Sequence, residues 1–198
     1  MRFGGSESSA PVAARGSGAI ATNSAVDVTA DAVAARRAYL NDKFGRTGDL
    51  NLDINIRGRQ ETATNFFVSQ GVPEASIPSY MKGVDFTQPV SLQTLGNGKT
   101  LWQFQTPGGT QGNWYALSPS ARPTELGISP MGFNKTTQMV ESKVLNSYVT
   151  TDSVTVLRST SAAVDDIWSV KGQSFRTTGG AQQLFSTRKS AFTLVPQP

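Results

Sequence analysis

The chain is predicted to be an α+β domain, with N-terminal helices followed by a mostly antiparallel β core. Three observations predict it. Apolar residues recur at helical spacing over Thr29–Gly45, where Ala30, Val33, Leu40 and Phe44 form one face. From Val84 onward short runs alternate apolar and polar residues between Gly-Asn-Gly and Gly-Gly turns. With 198 residues, the chain is long enough for one domain with its own core.

The elements follow in order. Residues 1–27 are rich in Gly, Ser and Ala and carry almost no large apolar groups, so a flexible linker or tail is expected there. Residues 28–198 are expected to form the domain. Thr29 is a plausible cap for the first helix, and Gly45 closes it. In NLDINIRGR, Leu52, Ile54 and Ile56 alternate, which predicts a short strand, although the segment equally opens a helix. Glu61 to Gln70 reads as helical, and IPSYM as a connector. Strands are expected near Val90–Leu95, Thr100–Thr106 and Asn113–Leu117. Pro123–Asn146 reads as loop with one helical piece at Thr124–Leu126. Further strands are expected at Tyr148–Val149, Val154–Leu157, Gln182–Phe185 and Ala191–Val195, while AVDDIWSV reads as a helical turn or an irregular segment.

Composition excludes several chemistries. The chain has neither cysteine nor histidine. Disulfides, thiolate nucleophiles, Ser-His-Asp triads and the usual zinc sites are therefore absent, and no metal is expected. Catalysis must use carboxylates, amides, hydroxyls, Lys or Arg. The net charge of +4 is scattered, so no specific nucleic-acid site is expected. No apolar run approaches the ~20 residues that span a bilayer. The start lacks the apolar core of a Sec signal peptide. If the protein leaves the cell, export by another route, or as a piece of something larger, is the expectation.

Leu101–Leu117, LWQFQTPGGTQGNWYAL, combines three glutamines, two tryptophans, Phe104, Asn113 and Tyr115 with three glycines. It reads as a hairpin turning at Gly108-Gly109. Rings to stack and amides to bond edges suit a flat polar ligand, which makes Gln103, Gln105, Gln111, Asn113 and Trp114 candidate site residues. Gln103 and Gln105 share one strand face, and Trp102 and Phe104 are expected on the other, in the core. An ordinary core hairpin with a polar outer face fits the same spacing. Ser159-Thr160-Ser161 follows a β run and resembles the Ser-Thr-Ser element of ADP-ribosylating toxins, whose hydroxyls hold up the strands of the NAD pocket. A turn closed by hydroxyl bonds is the alternative. Asp165 and Asp166 stand near Trp168, either as carboxylates facing developing positive charge or as a capping pair. GGAQQLFS repeats the glycine, amide and aromatic recipe and adds Gln183.

Taken together, IPSYMKGVDFTQPV, LWQFQTPGGTQGNWYAL, LGISP, YVTTDSVTVLRST, DDIWSVKG and GGAQQLFSTRKSAF resemble the type-46 polymorphic toxin family. These are NAD(P)-degrading domains at the C-termini of bacterial effectors. The resemblance implies an ADP-ribosyltransferase-like fold, NAD(P) as substrate with no prosthetic group, and hydrolysis of the N-glycosidic bond to nicotinamide. It also implies a cognate immunity protein and delivery into the cytoplasm of a target cell. The family's polar pair falls on Gln103 and Asp166, with Gln105 and Asp165 as close substitutes. Asp166 would offset positive charge on the ribose, Gln103 would orient ribose or water, and Arg158 or Lys171 would meet the pyrophosphate. The last glutamate, Glu141, precedes the Ser-Thr-Ser element. ADP-ribosylating transferases normally carry a catalytic glutamate after it, so hydrolysis is favoured over transfer to a protein or RNA. A non-enzymatic β-rich binding module is the reading from a different class.

Overall fold

A computed structural model describes residues 49–196. The linker expected over residues 1–27 and the helix expected over Thr29–Gly45 lie outside the described residues. Helix α1, Leu50–Ser69, is capped by Asp49, whose side chain accepts from the Asn51 and Leu52 amides. Of the strand and the helix start left open for Leu52–Ile56, the structure takes the second: these residues form the first two turns of this helix. Ile56, Ala63, Phe66 and Phe67 continue at helical spacing on its buried side, whereas Ile54 is 36% exposed, so the two-residue alternation marks no face. After a 3₁₀ turn at Glu74–Ser76 comes α2, Ile77–Lys82. Its Pro78 sits in the first turn, where a missing amide hydrogen costs nothing.

Eleven strands follow among the described residues: β1 Ser91–Leu95, β2 Thr100–Gln105, β3 Trp114–Ala116, β4 Met131–Asn134, β5 Met139–Ser142, β6 Val144–Thr150, β7 Val154–Thr160, β8 Asp165–Asp166, β9 Phe175–Arg176, β10 Gln182–Phe185 and β11 Phe192–Val195. Seven form one antiparallel sheet in the order β1-β7-β10-β3-β2-β6-β11. The fold is thus helical first and mostly antiparallel β afterwards, as expected. Two small pairs stand apart, β4 with β5 and β8 with β9. The first corrects the loop expected over Pro123–Asn146. Its Phe133, Met139 and Val140 are exposed, so no buried alternation marks it in the sequence.

The sheet packs on both faces. One carries Leu95, Leu101, Tyr115, Tyr148, Val156, Leu184 and Phe192. The other carries Leu157 and Phe185 against Phe66, Phe67 and Ile77 from the helices, with Tyr80 and Trp114 packed alongside. Phe185 meets Phe67, Tyr80 and Trp114 edge-on at centroid distances of 4.9, 5.1 and 4.9 Å, a geometry that places ring edges on ring faces.

One irregularity positions the site. β2 pairs with β6 along its whole length, Thr100 to Gln105, but with β3 only at Trp102 and Ala116. Beyond that pair the two strands diverge into a fork. The expected hairpin is there, and its turn closes with the Gly109 amide on the Thr106 carbonyl at 2.8 Å. Gly108 provides the required left-handed residue at φ +70°.

Candidate functional site

The fork of β2 and β3 opens into a cleft of about 1110 Å³. Its walls come from the β2–β3 hairpin, the end of α2, the loop Leu126–Ile128, the β4–β5 hairpin and the segment Ala163–Trp168. Space of this size accommodates a cofactor-sized ligand.

Gln103 holds the fork together. Its carbonyl accepts from the Gly112 amide at 2.8 Å, and its amide nitrogen donates to the Trp114 carbonyl at 2.6 Å. The side chain therefore replaces ladder bonds that β2 and β3 do not make. Gln105 donates to the Gln103 carbonyl at 2.8 Å and accepts from Tyr148 at 3.1 Å and from the Asn146 amide. The result is a chain of amides through a largely buried floor, with Gln103 6% and Gln105 7% exposed. This corrects the expected facing of β2. Leu101 is the core residue, the glutamines are buried with it, and Trp102 and Phe104 are half-buried and line the cleft. Mutual hydrogen bonding offsets the cost of burying the two amides, which alternation alone does not reveal.

Asp166 is buried behind the opposite wall. One carboxylate oxygen accepts from the Ser129 amide at 2.7 Å and the Ser169 hydroxyl at 2.5 Å. The other accepts from the Trp168 amide at 3.1 Å and the Ser169 amide at 2.8 Å. Burial pushes its pKa up, but the bonds from Ser129, Ser169 and Trp168 outweigh burial and leave it below the ordinary 3.8. Asp166 is 2% exposed and does not line the cleft. Its four donors, three amides and a hydroxyl, hold the carboxylate inside the wall. Asp165, its neighbour, lines the cleft and pairs with Arg176 at 3.6 Å. Ser169 also accepts from Lys143 Nζ at 2.6 Å. Lys143 lines the cleft, and desolvation lowers its pKa, with the charge of Asp166 opposing.

The sign of the Asp166 shift fixes a pH dependence. Its folded pKa lies below its unfolded value, so its stabilisation is complete above about 3.8 and lost as pH falls through the folded pKa. Urea midpoints of the wild type are expected to hold from pH 7 to pH 5 with respect to this group and to drop below pH 4. In Asp166→Asn that acid component should be missing.

Of the remaining sequence candidates, Gln103, Gln105, Asn113, Trp114, Asp165, Trp168 and Gln183 line the cleft. Ser159 and Ser161 are 0% and 1% exposed and do not line the cleft. Ser159 and Thr160 instead accept from the Gln183 and Gln182 side chains, at 3.3 and 2.6 Å, and tie β7 to β10. Gln111 is drawn aside by the Tyr115 hydroxyl at 2.6 Å and does not line the cleft. Burial pushes that phenol up to about 12. Arg158 alternates with Leu157 and Ser159, so it leaves the sheet from the opposite face, where it donates to Gln182 at 3.3 Å. Lys171 lies in an exposed turn outside the cleft. The cations that do line it are Lys82, Lys135 and Lys143. They were missed, together with Tyr80 and Phe133, because scattered lysines carry no spacing signal until the hairpin and α2 bring them to one rim. Among the described residues no three His, Cys, Asp or Glu side chains gather to hold a metal ion, and no helix is long and apolar enough to cross a membrane.

Comparison with known proteins places this geometry. The family described as bacterial toxin 46 matches residues 36–192. The NAD(P)(+) glycohydrolase toxin Tse6 of Pseudomonas aeruginosa PAO1 is 60% identical over 164 residues, which is 83% of this chain and 38% of Tse6. The chain therefore spans well under half the length of that relative. The solved structure of Tse6 in complex with Tsi6 aligns at a TM-score of 0.64 and 54% identity, covering 73% of this chain and 98% of the solved one. Rhs1-CT, solved with its cognate immunity protein RhsI1, aligns at a TM-score of 0.43 and 16% identity over 69% of this chain and 93% of the solved one.

Proposed function

This chain belongs to the bacterial toxin 46 family, and from that premise we propose that it hydrolyses the N-glycosidic bond of NAD(P), releasing nicotinamide and ADP-ribose or its phosphate. The observation that carries this reading is the 60% identity over 164 residues with a toxin named for that hydrolysis. NAD(P) is then a substrate, with no prosthetic group. We read residues 28–198 as the catalytic unit and the fold as ADP-ribosyltransferase-like. The forked antiparallel sheet is consistent with that reading.

In the proposed reaction the dinucleotide lies along the cleft. Trp102, Phe104, Trp114 and Trp168 offer faces for its rings, and Lys82, Lys135 and Lys143 meet its phosphates. Loss of nicotinamide leaves an oxocarbenium-like ribose, whose charge is opposed by Asp165 at the cleft surface and by buried Asp166 behind it. Asp166 acts through the wall it anchors. Gln103 fixes the fork, and its amide nitrogen, engaged once by Trp114, keeps a second hydrogen for ribose or water. Asp165 is the one acidic side chain lining the cleft among the described residues. Glu141 is taken up in the β4–β5 hairpin by Asn134 and by Thr137, which favours water over a protein acceptor.

We also propose that the chain acts as a delivered effector in the cytoplasm of a target cell and that a cognate immunity protein neutralises it. Its relative Tse6, solved in complex with Tsi6, supports the existence of such a partner.

Purified protein incubated with NAD or NADP in water alone is expected to release nicotinamide and ADP-ribose in equal amounts over many turnovers. ADP-ribose found only on a component of added lysate would instead make it a transferase. Absence of both products would leave a binding module.

A further inference from the structure

Asn113 carries a polar atom that the protein does not satisfy. Its Oδ1 is buried without a hydrogen-bond partner, on a residue that lines the cleft. Such an atom costs stability unless something else bonds it. Its amide nitrogen is occupied, donating to the Tyr80 hydroxyl at 3.3 Å, so the side chain is oriented and the oxygen is left over. The backbone on both sides is pinned by a single group: Gln103 accepts from the Gly112 amide at 2.8 Å and donates to the Trp114 carbonyl at 2.6 Å. The acceptor is therefore preorganised before any ligand arrives. It stands among rings, because Tyr80 packs on Phe67 at 5.7 Å and Phe185 at 5.1 Å, both fully buried. Asn113 and Tyr80 both line the cleft, and an acceptor beside a ring suits a small flat ring bearing an N–H donor.

Resting on the glycohydrolase reading, we propose that Asn113 is the specificity-determining residue for the nicotinamide ring, accepting a hydrogen bond from its carboxamide NH₂. An amino group is found at both ends of NAD, on the carboxamide and on adenine. The enclosed aromatic surroundings favour the smaller ring, which must be held while its bond to ribose breaks. Asn113 moves no proton. It fixes the leaving group.

The test compares kcat/KM for three dinucleotides. They are NAD, its acetylpyridine analogue, in which a methyl group replaces the carboxamide NH₂, and its hypoxanthine analogue, which lacks the adenine amino group. Wild type is expected to prefer NAD over the acetylpyridine analogue by about 10- to 100-fold, the range of one buried group left unpaired. Asn113→Ala should remove most of that preference by slowing NAD alone, while Asn113→Asp, which keeps an acceptor, should retain it. Wild type using both equally would overturn the proposal without any variant, so it does not depend on the alanine protein folding. An alanine variant that slows both dinucleotides equally, or keeps the preference, would also overturn it. Loss of preference against the hypoxanthine analogue alone would move the contact to adenine and overturn the nicotinamide assignment. Wild type inactive on NAD and NADP would sink the glycohydrolase reading first, before any variant was compared.

Discussion

Asp166→Ala is expected to lower nicotinamide release by about 100-fold or more, the scale on which misplaced or missing electrostatic groups act in enzymes. The substitution strips the acceptor from four donors: the amides of Ser129, Trp168 and Ser169 and the Ser169 hydroxyl. Leaving a buried donor unpaired costs roughly 1–3 kcal/mol. Rehydration will relieve part of this, so a net loss of about 3 kcal/mol in unfolding free energy is expected. Activity should fall further than stability explains, because Asp166 bonds the amide of Trp168, which lines the cleft beside Asp165 and Ile167, and its charge is lost with it. Asp166→Asn separates the two contributions. It preserves shape but turns an NH₂ group toward a donor, so a smaller stability loss of about 1–2 kcal/mol is expected, with activity still severely reduced. Steady-state nicotinamide release and urea unfolding, measured on both variants, decide the matter. An asparagine protein with full turnover would remove Asp166 from the mechanism.

Gly179→Ala is expected to be the most damaging glycine substitution among the described residues. Gly179 has φ +63°, where an L residue costs about 1–2 kcal/mol. A methyl group there would stand 2.5 Å from the Ala163 nitrogen, 2.6 Å from the Ala162 carbonyl carbon and 2.7 Å from the Ser161 oxygen. All three are backbone atoms, so the chain has to move. The displaced stretch runs straight into Ala163–Asp165, which lines the cleft. A loss of at least about 3 kcal/mol, with activity falling alongside, is the expected outcome. The neighbouring Gly180→Ala is the matched control: its φ is +98° and nothing lies within 4 Å of the added carbon. Backbone strain without a clash should leave it well above Gly179→Ala in urea midpoint. Equal midpoints would show that left-handed geometry, and not the close backbone approach, governs this turn.

These positions were unequally legible in the sequence. Strands β1, β2, β3 and β10 were readable because turn glycines bracket short alternating runs, and Gln182–Phe185 was placed to the residue. The start of α1 is ambiguous between strand and helix, because Leu52, Ile54 and Ile56 mimic a strand; Asp49 as cap is the signal that decides for the helix. The β4–β5 hairpin was invisible, since its large apolar residues face solvent and leave no buried alternation. At the site, residue types were more legible than roles. Amides, rings and the aspartate pair were all singled out. Which carboxylate reaches the cleft depends on three backbone amides supplied by Ser129, Trp168 and Ser169, and such partners are distant or unmarked in sequence. The cleft lysines were illegible for the same reason, because folding brings them together from α2 and from the β4–β5 hairpin and its flank.

The amide chain under the fork has a consequence for where this protein can work. Asn146, Gln105, Gln103 and the Trp114 carbonyl form a series of neutral groups, and the chain has no histidine to titrate among them. None of these links gains or loses a proton over the range of acidity found in living compartments. A floor built this way keeps its shape across that whole range, with no group in it to act as a switch.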